Sequence, residues 1–161
     1  MTRSALRTVW KQTLSNEDSS RTFGKKLANC LLPSAVLAFS GELGAGKTTI
    51  IRAMLRALGV ASAIKSPTFS LVESYQCQSL QIHHFDLYRI QDEEELEYIG
   101  FREYFSEDAI CCIEWPEKAS NLFIHTDLQF DLKIKETGRE MRIKALSVLG
   151  ERILTCLTGG V

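Results

Sequence analysis

The spacing of apolar residues changes repeatedly along the 161-residue chain, and each change marks an element. Arg7–Leu14 mixes Thr, Val, Trp and Leu and predicts an opening strand. Ser15-Asn16 then offers an N-cap, with Glu17 and Asp18 in the first turn. Phe23, Leu27, Cys30 and Leu31 recur at helical spacing, so a helix is expected to about Leu32, where Pro33 ends it. Ala35–Ser40 is a short apolar run, the pattern of a central strand buried on both faces. Thr48–Leu58 is helical, with Ile51, Leu55 and Leu58 on one side and Gly59 as C-cap.

Beyond Ser66-Pro67, Phe69–Cys77 and Leu80–Phe85 are expected strands joined by Gln78-Ser79. Glu93–Ile99 predicts a helix stopped by Gly100, and Arg102–Phe105 adds a turn. Ala109–Glu114 is a second buried strand, ended by Trp115-Pro116. Asp127–Lys135 and Glu140–Leu146 alternate apolar and polar residues about the link Glu136–Arg139, a hairpin. Gly150–Leu157 closes the chain as a helix. Alternating strands and helices without a linker or repeat imply one α/β domain over residues 1–161.

Composition narrows the class. Hydrophobic residues make up 45% and charged residues 24%, which excludes a disordered chain. No apolar stretch reaches the roughly 20 residues of a membrane span, and the N-terminus has no secretion h-region. Five cysteines with no Cys-x-x-Cys pair make a disulfide framework or zinc site unexpected. Cys111 and Cys112, adjacent in a strand, should face opposite ways as small buried hydrophobes, and a reducing cytoplasm is the expected compartment. The net charge of −1 hides segmentation: +6 over residues 1–91, −9 over 92–117, +2 over 118–161. The acidic run Asp92–Glu97 reads as a solvated helix face, a docking surface for a basic partner, or a region that repels nucleic acid.

The chemistry begins at Gly41-Glu-Leu43-Gly44-Ala45-Gly46-Lys47-Thr48. This spacing, Gly-x4-Gly-Lys-Thr between a buried strand and a helix, is that of a phosphate-binding loop. Its glycines let backbone N–H groups turn to phosphate oxygens, and the helix N-terminus adds partial positive charge. Lys47 supplies a point charge for the β- and γ-phosphates, and the Thr48 hydroxyl suits Mg²⁺. A second carboxylate is needed at the end of a neighbouring buried strand. Glu114 and Asp86 both stand at such ends. His83 and His84 alternate faces, and one is read as a packed strand residue and not a ligand.

Around this loop the chain resembles the bacterial TsaE family, also called YjeE, of tRNA threonylcarbamoyladenosine biosynthesis ATPases. The likeness is carried by Ser66-Pro-Thr-Phe-Ser-Leu-Val-Glu73, His84-Phe-Asp-Leu-Tyr-Arg89, Glu95-Leu-Glu-Tyr-Ile-Gly100, Glu103-Tyr-Phe105 and Ile113-Glu-Trp-Pro116, over about Thr13 to Leu157. It implies a three-layer P-loop NTPase fold with a mainly parallel central sheet and a late antiparallel hairpin. It also implies slow ATP hydrolysis by the lone protein, with Mg²⁺, in support of a TsaB–TsaD complex that transfers a threonylcarbamoyl group to an adenosine beside the tRNA anticodon. Carried onto these residues, Lys47, Asp86 and Glu114 would be catalytic. Thr48 and Glu114 would hold the metal, and residues Leu43 to Thr48 the phosphates. Glu17 and Gly138 would contact the nucleotide, and Thr68 would lie in a nucleotide-sensing switch.

Other roles stay open at this stage. Trp115 is expected to wall the metal site, meet a partner or simply pack. Arg89 is expected to orient Asp86, touch phosphate or pair with the acidic run. A small-molecule kinase and a non-hydrolysing nucleotide sensor are the competing functions. A kinase wants a mobile lid with several arginines, and the acidic stretch after the Asp86 strand has only Arg89 and Arg102. Contact with tRNA is expected to be mostly indirect, because the chain lacks excess positive charge. The helix Glu93–Ile99 is the expected docking element, and a monomer is the expected state.

Overall fold

In the computed structural model, residues 9–159 are described. Seven strands form one sheet: β1 (Val9–Leu14), β2 (Val36–Ser40), β3 (Val72–Cys77), β4 (Leu80–Asp86), β5 (Ala109–Glu114), β6 (Leu128–Ile134) and β7 (Arg139–Ala145). Their order is β1-β7-β6-β2-β5-β4-β3. The four central strands, β6-β2-β5-β4, run parallel. The edges are antiparallel: β3 on β4, and the β6–β7 hairpin with β1 beside it. The α/β class, the parallel centre and the late hairpin therefore all hold.

Central strands are apolar because both of their faces are covered. Every residue of β5 is buried, as are Val36 to Phe39 of β2. One face carries the helices α1 (Glu17–Cys30), α2 (Lys47–Ala57) and α4 (Val148–Leu157), packed on Leu37, Phe39, Ile82, Cys112 and Phe130. Phe39 stacks on Phe130 at 4.5 Å between centroids. The opposite face carries α3 (Glu94–Tyr98) and short 3-10 turns, with Phe85, Leu96, Phe101, Ile113 and Leu122 inside. Cys111 and Cys112 are buried on opposite faces, as expected. Burial pushes the Cys111 thiol up to about 12 and the Cys112 thiol up as well, so neither supplies a thiolate.

Several boundaries shift for local reasons. Arg7 and Thr8 of the expected first strand lie outside the described residues. Helix α1 begins where expected, with Asn16 Oδ1 accepting from the Ser19 N–H at 2.8 Å, but ends at Cys30 because Leu31 is already extended. Strand β3 starts at Val72, not Phe69. The Leu71 N–H donates to the Pro67 carbonyl at 2.8 Å and Leu71 takes φ +68°, so Pro67–Leu71 is a turn. Helix α3 is trimmed at both ends, to Glu94–Tyr98. Helix α4 starts earlier than its apolar spacing suggests. Ser147 Oγ accepts from the Gly150 N–H and donates to Asp127, capping Val148 onward.

One expectation is corrected. Cys30 and Cys156 form a disulfide, 126 residues apart in sequence. The late segments of α1 and α4 lie side by side over the sheet, and that adjacency leaves no trace in local cysteine spacing. The pairing also withdraws the argument for a reducing compartment that rested on unpaired cysteines.

Helix α1 meets α2 closely at Gly24. A Cβ there would stand 2.6 Å from the Ile50 carbonyl oxygen and 2.7 Å from Ala53 Cβ. Gly24→Ala gains about 1 kcal/mol of helix propensity but overpacks a backbone contact, which costs about 1–3 kcal/mol. The expected net result is a lower urea midpoint with an unchanged slope; a raised midpoint would mean that the two helices can move apart freely.

Candidate functional site

Where β2 ends, the chain turns through Gly41 (φ +151°), Gly44 (φ +82°) and Gly46 (φ +99°) into α2. A Cβ at Gly44 or Gly46 would meet nothing within 4 Å, so backbone conformation and not crowding demands glycine there. The loop surface is consequently open. No side chain caps α2, so N–H groups of its first turn stay available to an anion.

Lys47 is 5% exposed. Its ammonium donates to the Gly41 carbonyl and lies 3.9 Å over the Trp115 ring. Burial pulls the Lys47 ammonium below its usual range, while Glu114, Glu117 and Asp86 push it back up. Trp115, at φ +59°, turns its ring under Lys47 and packs at 4.9 Å on Tyr88. Of its expected roles, packing is the one observed, with the ring between Lys47 and Tyr88.

Two carboxylates stand beside this cation. Asp86 of β4 pairs across the parallel ladder with Glu114 of β5, and both are buried. The Thr48 hydroxyl donates to Glu114 at 3.1 Å to Oε1 and 3.2 Å to Oε2. His84 Nε2 lies 2.7 Å from Glu114 Oε2. Asp86 accepts from the Tyr88 N–H at 3.0 Å and from the Thr68 hydroxyl at 3.3 Å. Thr68 also bonds Ser66 Oγ at 2.7 Å, which brings the Pro67–Leu71 turn to the carboxylates. His83, on the other face of β4, bonds Ser74 Oγ, and burial lowers its pKa. Arg89 neither bonds Asp86 nor pairs with the acidic run among the described contacts: its guanidinium covers the Phe69 ring at 4.1 Å, and Phe69 is 80% exposed.

A cleft of about 290 Å³ continues from the loop, lined by Leu14, Asn16, Glu17, Gly44, Gly46, Gly138 and Arg139 among others. It brings Glu17 and Gly138 together with the loop. Gly138 (φ +85°) is required because a Cβ would stand 2.3 Å from the Leu14 carbonyl oxygen. Leu43 is 65% exposed on the loop and does not line this cleft.

Two contributors escaped the sequence reading. Arg139 donates to the Gly44 carbonyl at 3.0 Å and ties the hairpin to the loop. Nothing in the local pattern of a hairpin marks such a contact. His84 was legible in part: it stands two residues before Asp86, and so on the same face of β4. The donor set of Thr48, Glu114 and the neighbouring Asp86 is all hard oxygen, which fits Mg²⁺ completed by phosphates and water.

The chain is similar to known proteins over most of its length. Residues 14–143 match the family described as threonylcarbamoyl adenosine biosynthesis protein TsaE. The chain is 40% identical over 152 residues to the tRNA threonylcarbamoyladenosine biosynthesis protein TsaE of Haemophilus influenzae, covering 91% of this chain and 96% of that one. It is 32% identical to the protein of the same name in Bacillus subtilis, over 85% of this chain and 84% of that one. A crystal structure of Bacillus subtilis YdiB superposes with a TM-score of 0.78 at 25% identity, covering 95% and 96% of the two chains.

Removing the ammonium in Lys47→Ala should weaken ADP binding about tenfold or more, the size of one lost charge-assisted hydrogen bond. Thr48→Ala should weaken binding with Mg²⁺ present and change metal-free binding much less. Calorimetric titration of ADP with and without Mg²⁺ reads both; wild-type affinity in Lys47→Ala would dismantle the phosphate site.

Proposed function

The chain belongs to the TsaE family, whose role is in tRNA threonylcarbamoyladenosine biosynthesis, and from that membership we propose a magnesium-dependent ATPase that serves the TsaB–TsaD transferase complex. One observation carries the reading. The Thr48 hydroxyl and the Glu114 carboxylate are already joined at 3.1 Å, beside Lys47 on an uncapped helix N-terminus.

In this reading the nucleoside end of ATP occupies the cleft at Asn16, Glu17 and Gly138. The phosphates lie along Gly44, Ala45 and Gly46 and accept from backbone N–H groups. Lys47 exchanges the Gly41 carbonyl and the Trp115 ring for phosphate oxygens. Thr48 and Glu114 would hold Mg²⁺, whose contribution is to neutralise charge on the β- and γ-phosphoryl oxygens. Asp86 orients the attacking water. Water oxygen bonds the γ-phosphorus and gives its proton to Asp86, the bond from the γ-phosphorus to the bridging oxygen breaks, and ADP and phosphate leave, the proton passing to the phosphate. Thr68, bonded to Asp86 from the Pro67–Leu71 turn, carries the difference between ATP and ADP outward, toward the exposed Phe69.

A kinase is the weaker alternative. Arg89 is stacked on Phe69 and Arg102 is exposed, so no arginine clamp is built for a transferring phosphoryl group. A sensor that binds without hydrolysing leaves Asp86 without a task.

The acidic segment is the proposed partner face. Glu93 accepts from Ser120, and Glu95 accepts from the Gln91 and Asp92 N–H groups. Those bonds hold both carboxyls below the usual range. Glu94 and Glu97 remain exposed at the mouth of a groove of about 210 Å³ floored by Leu96, Phe101, Phe105 and Leu122. This face suits a protein segment with basic and aliphatic side chains and disfavours tRNA, which such a protein complex would hold instead. The working state is a monomer in the cytoplasm, where tRNA is modified. No helix among the described residues is long and apolar enough to cross a membrane.

Single-turnover ATP hydrolysis, alone and with TsaB–TsaD, tests the chemistry. Asp86→Asn should bind ATP yet lose hydrolysis by about 100-fold or more, the scale of general acid–base help. Glu114→Gln should raise the Mg²⁺ requirement, and Thr68→Ala should lower threonylcarbamoyladenosine formation more than ATP binding. Wild-type turnover by Asp86→Asn would remove its role.

The docking face has its own test. Glu94→Lys combined with Glu97→Lys should weaken TsaB–TsaD association and leave basal hydrolysis intact; unchanged association in a pull-down would move the partner face elsewhere.

A further inference from the structure

The buried His84 ring has one polar atom in use and one unused. Nε2 lies 2.7 Å from Glu114 Oε2, and the residue is 1% exposed. Among the described residues, Nδ1 has no hydrogen-bond partner. A neutral imidazole carries one N–H and one bare nitrogen. The carboxylate can only accept, so the proton belongs on Nε2 and the bare nitrogen at Nδ1.

An unpartnered nitrogen in an apolar layer is a defect if packing is the ring's only purpose. His84 shares its face of the sheet with Ile82 and Cys112, both fully buried, where an aliphatic side chain would leave nothing unsatisfied. The one bond that distinguishes histidine there is the bond to Glu114. It is also the shorter of the two holding that carboxylate: 2.7 Å from His84, against 3.1 and 3.2 Å from Thr48. His84 therefore holds Oε2 tightly from β4, while the Thr48 hydroxyl spans both oxygens at longer distances.

We propose that His84 is a positioning residue for the metal-side carboxylate, fixing Glu114 through Nε2–H so that the carboxylate stays turned toward Thr48. The proposal rests on the reading of Thr48 and Glu114 as the Mg²⁺ site. Without the His84 donor, Glu114 is free to swing toward Lys47, whose charge already acts on it. That ion pair would compete with both metal and phosphate. Donors to a liganding group commonly change metal affinity by about 10- to 100-fold.

The test titrates Mg²⁺ into the ADP-loaded protein by calorimetry, with Mn²⁺ paramagnetic resonance as the spectroscopic readout. His84→Leu should weaken Mg²⁺ binding by about 10- to 100-fold and metal-free ADP binding less. His84→Gln places an amide nitrogen near the position of Nε2 and should restore most of the affinity. His84→Asn places it near Nδ1 and should not, although both variants bury one amide. Nitrogen-15 shifts of wild-type protein without nucleotide should show protonated Nε2 and bare Nδ1. Wild-type Mg²⁺ affinity in His84→Leu, equal recovery by Asn and Gln, or an Nδ1–H ring would each overturn the proposal. If His84→Leu does not fold, the Gln–Asn comparison and the ring shifts decide. Glu114→Gln is measured alongside: if it leaves Mg²⁺ affinity unchanged, the metal-site reading itself fails, whereas weakening there with none in His84→Leu refutes only the role of His84.

Discussion

Lys47, His84, Asp86 and Glu114 are all buried where the central parallel strands end. Ionisable groups removed from water need partners, and the site consists of the partners these four find. Glu114 takes the His84 and Thr48 donors, Asp86 takes the Tyr88 N–H and the Thr68 hydroxyl, and Lys47 rests on a carbonyl and an indole face. Each partner comes from a different element. The register of β4 on β5, the start of α2 and the turn before β3 are thereby coupled to one cluster of charge.

The cluster is asymmetric in a useful way. Its carboxylates are held by donors from β4, α2 and two flanking turns, while its cation is held by groups it can leave. A carbonyl and an aromatic ring are weaker partners for an ammonium than a phosphate. The open glycine loop provides the approach, and the hairpin closes the far side through Gly138 and Arg139. The cleft at Glu17 and Gly138 and the buried charges thus meet at the two ends of the glycine loop, and the Thr68 turn stands beside Asp86.

Away from the groove, the two faces of the sheet differ in character. One is covered by three helices, two of them joined by the Cys30–Cys156 bond. The other is covered by a five-residue helix and 3-10 turns, and it exposes Glu94, Glu97 and Tyr98. A thin layer rich in like charge is a poor structural lid and a good surface for a basic partner.

The elements and the phosphate loop were readable from residues alone, because hydrophobic period, capping residues and a Gly-Lys-Thr spacing are local properties. So were Glu114 and Asp86, since a carboxylate closing an apolar strand needs no knowledge of its neighbours. What the sequence left open involves contacts between distant segments. Arg89 lies on Phe69, Cys30 found Cys156, Arg139 reached Gly44, and His84 reached Glu114. Each contact depends on which strands lie adjacent and in what register, and a period along one strand carries no record of the strand beside it. Strand order and helix packing settle those pairings, and with them which buried side chains are satisfied and which side-chain nitrogen among the described residues, Nδ1 of His84, is not.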